Sequence, residues 1–206
     1  MWVFVGDAHL FNTRFPSAKP DGLAPWVLYS GDQPLPTASV YLDLNGRYAF
    51  DRPDSAPSDA WWLVHAPEFT LAELPPQTIR LNGWPGFTNG PDWEVVAPNE
   101  AAESIASNVL TALGKQPVFV PDQLGGIGTR VLASIINEAY LLMGEGSASR
   151  TDIDLAMKLG TNYPMGPFEW SEQIGLPAIH SLLKRLSETD PRYTPAPALV
   201  EAMQVL

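Results

Sequence analysis

The sequence predicts a molecule in two parts, an α/β half built on a largely parallel sheet and an all-α half after it. Three observations predict this. Before residue 99 the apolar residues fall in short runs bounded by Gly, Pro, Asn or Asp, the pattern of strands and turns. After residue 122 they recur with the 3.6-residue period of helices. Thirteen of the 21 prolines and six of the seven tryptophans lie before Asn99, so the two halves differ in composition as well as in period.

The strand candidates are "WVFVG" (2–6), "PWVLYSG" (25–31), "ASVYLDL" (38–44), "AWWLVHA" (60–66) and "TIRLNG" (78–83). Their apolar runs show little polar alternation, which suits strands covered on both faces, as in a parallel sheet. One strong crossover helix follows at Glu100–Leu113. Pro98-Asn99 introduces it, Ile105, Val109 and Leu113 mark its apolar stripe, and Gly114 stops it. "QPVFVPD" (116–122) supplies one more strand, so the first domain is set at 1–120 and the second at 121–206. No helix of useful length is expected in "DAHLFNTRFPSAKPDGLAP" after the first strand, because prolines stand at 16, 20 and 25.

In the second half, Ile127, Val131, Ile135, Ala139, Leu142 and Met143 form a stripe that Leu132 and Ile136 widen. A helix apolar over so wide an arc belongs at the centre of a bundle or in an oligomer interface, and the expectation is a homodimer. Ser149 with Asp152 three residues on marks the start of a helix that ends at Gly160. Further helices fit 167–174, 176–188 and 196–205.

Composition narrows the function classes. The net charge of −11 repels a phosphate backbone, and the 12 Lys and Arg residues form no cluster, so nucleic acid is not an expected partner. No apolar run approaches the roughly 20 residues of a membrane span, and no membrane partner is expected. The absence of cysteine excludes disulfides, thiolate nucleophiles and zinc–cysteine centres, and no metal is expected. Trp2 to Val5 is too short for a signal-peptide core, so the reading is a cytoplasmic protein.

Certain residues say more than pattern. "IINEAYLLMGEGSASRTDIDLAMKLGTNYPMGPFEW", then "IGL" and "RYTPAPALVEAM", resemble the C-terminal helical domain of the 3-hydroxyacyl-CoA dehydrogenase family over roughly Lys115–Met203. "WEVVAPNEAAESIASNVLTALGKQPVFVPD" looks like the strand, helix and strand that precede that domain. The resemblance implies a Rossmann-type NAD domain, here reduced and degenerate, followed by a helical domain that dimerises and helps enclose an acyl chain. It also implies oxidation of the 3-hydroxyl of an acyl-CoA by a histidine base that a glutamate orients.

Set against the family's motifs, this sequence departs at most of the working positions. Asn82 stands in place of the family histidine, and Glu94 falls at the glutamate. Pro67 stands in place of a substrate-binding serine, and Thr129 in place of an asparagine. A carboxamide does not take up a proton near neutral pH, so Glu94 is left without its base. His65, at a strand end near Pro67, is a substitute base in a second reading. The dinucleotide fingerprint G-x-G-x-x-G is missing after the first strand, and Asp32 alone imitates the carboxylate that holds the adenosine ribose. "GGIG" (125–128) matches a helix start of the family.

The expectation is therefore a family homologue without NAD and without dehydrogenase catalysis, acting as a dimeric scaffold or as a binder of an acyl-CoA-like ligand. Two alternatives stand beside it. One is an active NAD-dependent 3-hydroxyacyl-CoA dehydrogenase of fatty acid metabolism in which Glu94 and His65 share the proton chemistry. The other is a subunit that docks on another fatty-acid enzyme.

Overall fold

The computed structural model describes residues 1–6, 8–15, 26–31, 33–87 and 90–204. The chain divides into two compact units, Met1–Gly126 and Ile127–Leu206.

The first unit is a seven-stranded sheet, β1 (Trp2–Val5), β2 (Trp26–Tyr29), β3 (Val40–Asp43), β4 (Trp61–His65), β5 (Thr78–Leu81), β6 (Asp92–Val96) and β7 (Gln116–Phe119). Their order is β2-β1-β3-β4-β5-β6-β7. All neighbours are parallel except β5 and β6, which run antiparallel. The sheet is largely parallel, as the sequence predicts, and the one antiparallel pair falls where an apolar run does not encode its own direction. The stretch after β1 holds only a short helix. Ala8–Arg14 forms α1, a helix of 7 residues that ends before the first of the prolines.

Both faces of the sheet are covered, as the continuous apolar strands require. On one face Phe4, Leu42, Leu63, Ile79, Leu81, Trp93 and Val95 pack with Phe11, Phe15 and the buried side of α2 (Glu100–Ala112), including Ala102, Ala106 and Val109. Asn99 starts α2 by accepting a hydrogen bond from the Ala102 amide at 3.0 Å. On the other face Val3, Val5, Tyr41, Trp62 and Val64 pack beneath loop residues such as Leu35, Ala49 and Leu74. Tyr41 and Trp62 stack there at 4.2 Å.

The second unit is helical: α3 (Gly128–Gly144), α4 (Arg150–Thr161), α5 (Pro167–Ile174), α6 (Leu176–Ser187) and α7 (Pro197–Gln204). The centre of α3 is buried through Leu132, Ala133, Ile136, Ala139 and Tyr140, and Tyr140 meets Phe168 of α5 at 4.8 Å. Much of the apolar stripe read from the sequence faces outward in this unit, with Ile127 58% and Val131 53% exposed. Among the described residues no helix is long and apolar enough to cross a membrane.

Candidate functional site

The residues at the family's working positions in the first unit gather where β4, β5 and β6 meet the loops that follow them. Register sorts them between two faces, because directly paired strand residues point the same way. His65 pairs with Leu81, and Leu81 with Val95. Val64 pairs with Arg80, and Arg80 with Val96. Asn82 extends the second ladder by donating its amide to the Glu94 carbonyl at 3.2 Å. Asn82 and Glu94 therefore share the face of Arg80, and His65 belongs to the opposite face. The structure brings Asn82 to Glu94 and leaves His65 on the other side of the sheet from that carboxylate.

Asn82 is buried, with 6% exposure. Its Oδ1 accepts the Trp84 amide at 3.2 Å, and its Nδ2 is buried without a hydrogen-bond partner. The carboxylate of Glu94 lies against Gly126, where a Cβ would overlap Oε1. Gly126 has φ +52°, so both its backbone conformation and this close approach call for glycine. "GGIG" is thus the place where the chain passes Glu94, and α3 starts at its last glycine.

His65 Nδ1 accepts the Gly83 amide at 2.9 Å, which places the ring proton of the neutral form on Nε2. Burial pushes its pKa down to about 4, and nearby Arg14 acts in the same direction against the backbone bond with Leu81. A histidine so held is neutral at physiological pH and has one ring nitrogen committed to the backbone. Pro67, also buried, offers its carbonyl to the Gly125 amide at 2.7 Å.

Arg80, which sequence reasoning passed over, is the most connected side chain here. It is 3% exposed and pairs with Asp122 at 2.7 Å. Its guanidinium also donates to the carbonyls of Gln123, Phe69 and Ala66. Asp122 in turn accepts the Leu71 amide at 2.9 Å. Burial lowers the Arg80 pKa, while Asp122, Glu94 and Glu73 raise it. The guanidinium thus ties the loop after β4 to the loop after β7. A lone arginine inside "TIRLNG" carries no sequence signal of that role.

Thr129 lies in the second unit on the first turn of α3 and is 1% exposed. Asp32 falls outside the described residues. Among the described residues no group of three or more His, Asp or Glu is placed to hold a metal ion.

At the C-terminal ends of β1, β2 and β3 a cavity of about 190 Å³ is lined by Gly6, Leu10, Tyr29, Ser30, Asn45 and Arg47, among others. This is the switch point of the sheet, where an open α/β fold receives ligands. Beside it a Cβ on Gly6 would overlap the side chains of Phe4 and Leu10, so that position calls for glycine. The buried Asp43 shapes the far wall by accepting the amides of Asn45 at 3.1 Å and Tyr48 at 2.7 Å. Desolvation raises its pKa, and those backbone bonds oppose the rise.

The family relationship can be stated against this geometry. Residues 125–205 match the family model described as 3-hydroxyacyl-CoA dehydrogenase, C-terminal domain. Among curated relatives, the human mitochondrial hydroxyacyl-coenzyme A dehydrogenase is 44% identical over 91 residues, which are 43% of this chain and 29% of that protein. Among solved structures, FadB2 of M. tuberculosis superposes with a TM-score of 0.73 at 17% identity, over 99% of this chain and 93% of the other. An (S)-3-hydroxybutyryl-CoA dehydrogenase from Ralstonia eutropha gives a TM-score of 0.65 at 23% identity, over 81% of this chain and 65% of that one. At those identities the structures speak for the fold, a Rossmann-type sheet followed by a helical domain. The match to the human protein spans under a third of that protein's length. Over residues 125–205 the chain is similar to the C-terminal domain of the 3-hydroxyacyl-CoA dehydrogenases, as its sequence motifs imply.

Proposed function

Starting from that similarity, we propose that the chain is a 3-hydroxyacyl-CoA dehydrogenase homologue that binds an acyl-CoA-like ligand and does not oxidise it. One observation carries the reading: the position of the family's base holds Asn82, buried, with its Oδ1 engaged by the Trp84 amide. A carboxamide has no basic lone pair to receive the hydroxyl proton that must leave as hydride departs. Glu94 keeps its position on the same face of the sheet, but a lone orienting carboxylate does not make a dyad. His65 does not replace the base, because its Nδ1 is occupied and it lies across the sheet from Glu94.

We further infer that NAD binding is lost. In support, the cavity at the switch point measures about 190 Å³, below the roughly 300–1,000 Å³ usual for ligand sites. The residues described there do not fit a dinucleotide, and no step is routed through one. We assign homodimerisation to the helical unit, where the outward stripe of Ile127, Val131 and Leu142 leaves an apolar face.

The test is a calorimetric titration of the protein with NADH and, separately, with acetoacetyl-CoA, together with an assay of NADH oxidation. Binding of acetoacetyl-CoA alone, without turnover, is the expected outcome. Micromolar NADH binding, or NADH oxidation that Glu94→Gln abolishes, would overturn the reading.

A further inference from the structure

The helical unit holds a cavity of its own, of about 340 Å³, between α3, α6 and the short helical turn Pro191–Tyr193. That volume lies within the roughly 300–1,000 Å³ usual for small-molecule sites. Leu141 and Leu183 give it an apolar wall, and Glu138, Arg192 and Tyr193 give it ionic and polar groups. Asn137 also lines it, but its carboxamide already donates to the Thr194 carbonyl and accepts the Ala196 amide, so it stiffens the wall.

The charges around this cavity are opposites that do not meet. Arg130 and Arg192 both donate to the Tyr193 hydroxyl, at 2.7 and 2.6 Å, and both guanidinium groups lie against its ring. Arg192 pairs with Asp190 at 2.9 Å. Neither Arg130 nor the exposed Glu138 forms an ion pair among the described residues. Two cations against Asp190 and Glu138 leave the surroundings without net charge, so a simple anion or a simple cation gains little from the site as a whole. A molecule that carries both charges a short distance apart gains from each end. The Tyr193 hydroxyl adds to the anionic end, because it accepts twice and keeps its own hydrogen to donate.

We propose that this cavity binds a zwitterionic α-amino acid with an aliphatic side chain. Its carboxylate accepts hydrogen bonds from Arg192 and the Tyr193 hydroxyl, its ammonium group faces Glu138, and its side chain packs on Leu141 and Leu183. The cavity is built from the helical unit alone, so the proposal does not rest on the acyl-CoA reading.

The test titrates the 15N-labelled full chain with three probes. These are L-leucine, N-acetyl-L-leucine, which lacks the ammonium group, and L-leucinamide, which lacks the carboxylate. Leucine is expected to bind saturably and to shift the backbone amides of Glu138 and Leu141 and the carboxamide of Asn137. Each analogue should bind about tenfold more weakly or worse, the scale of one lost charge-assisted hydrogen bond. Glu138→Gln should weaken leucine by about tenfold and leave N-acetyl-L-leucine unchanged, since that analogue brings no cation for Glu138 to hold. Arg192→Gln should weaken leucine to a similar extent and spare leucinamide.

Arg192 also pairs with Asp190, so the exposed Glu138 supplies the variant that decides the matter if Arg192→Gln does not fold. No saturable shift with millimolar leucine would overturn the proposal. Equal affinity for leucine and N-acetyl-L-leucine would do the same by revealing a plain anion site, as would losses in Glu138→Gln that fall alike on all three probes.

Discussion

The two units treat their inherited motifs differently. In the helical unit the polar signature residues hold up backbone. Asn137 donates to the Thr194 carbonyl at 2.9 Å and accepts the Ala196 amide at 2.7 Å, which fastens the segment before α7 to α3. Asp154 on α4 accepts the amides of Phe168 and Glu169 and so caps α5 from outside. Asn162 ends α4 in the left-handed conformation. Tyr193 takes hydrogen bonds from both Arg130 and Arg192 on its hydroxyl. In the sheet unit, by contrast, two positions that serve chemistry in the family carry Asn82 and Pro67, and each of these binds neighbouring backbone, as does the nearby His65. A residue that secures backbone carries a stability cost when it is replaced.

Four measurements break or sharpen that contrast. Six of the seven tryptophans lie in the first unit, so tryptophan fluorescence reports mainly on the sheet and far-ultraviolet dichroism mainly on the helices. The largest effect is expected from Arg80→Met. It removes a buried cation from Asp122 and from three carbonyls, and should lower stability by about 4 kcal/mol in denaturant followed by fluorescence. A loss under 1 kcal/mol would mean that this knot is dispensable and that the sheet unit has no comparable polar anchor. Next, Asn137→Ala leaves a carbonyl and an amide of the second unit unpaired and should cost about 3 kcal/mol by dichroism. A neutral result would remove the explanation given for why this motif persists.

The third measurement is pH dependence. His65 has its pKa lowered to about 4 by burial, against an ordinary value near 6.5, so between those limits the unfolded chain binds the extra proton. Stability therefore rises with pH through this window, is fully present above about 6.5, and is lost as pH falls toward 4. Between pH 7 and pH 5 the native protein should lose about 2 kcal/mol more than His65→Gln. Equal losses would show that His65 charges freely, which would reopen it as a proton carrier. The smallest effect is expected from Asp154→Ala. It removes the cap of α5 and should cost about 1 kcal/mol of helical stability, with fluorescence little changed.

Much of the fold was legible because short apolar runs and a 3.6-residue period are direct imprints of burial. What escaped depends on information that these patterns do not carry. The direction of β6 is invisible in "DWEVV", since an apolar strand reads alike either way. The helix α1 was hidden because the prolines that argue against it lie just beyond its last turn. At the candidate site, Asn82 and Glu94 were found by motif, and the structure puts their backbones in one ladder. The separation of His65 from Glu94 required the register, which sets faces and is not written in either strand alone. Arg80 was missed because its partners, Asp122 and Gln123, are over forty residues away in sequence.

The reversal between β5 and β6 has a consequence for how the chain reaches its native state. It leaves β6, α2 and β7 as a continuous strand–helix–strand segment, Asp92–Phe119, whose two strands pair directly with each other. Its register partners, Asp92 and Gln116, lie farther apart in sequence than those of the adjacent pair β4 and β5, Trp62 and Thr78. Contacts of low sequence separation form soonest, so the middle of the sheet closes first and the strand–helix–strand segment joins it as a preformed unit.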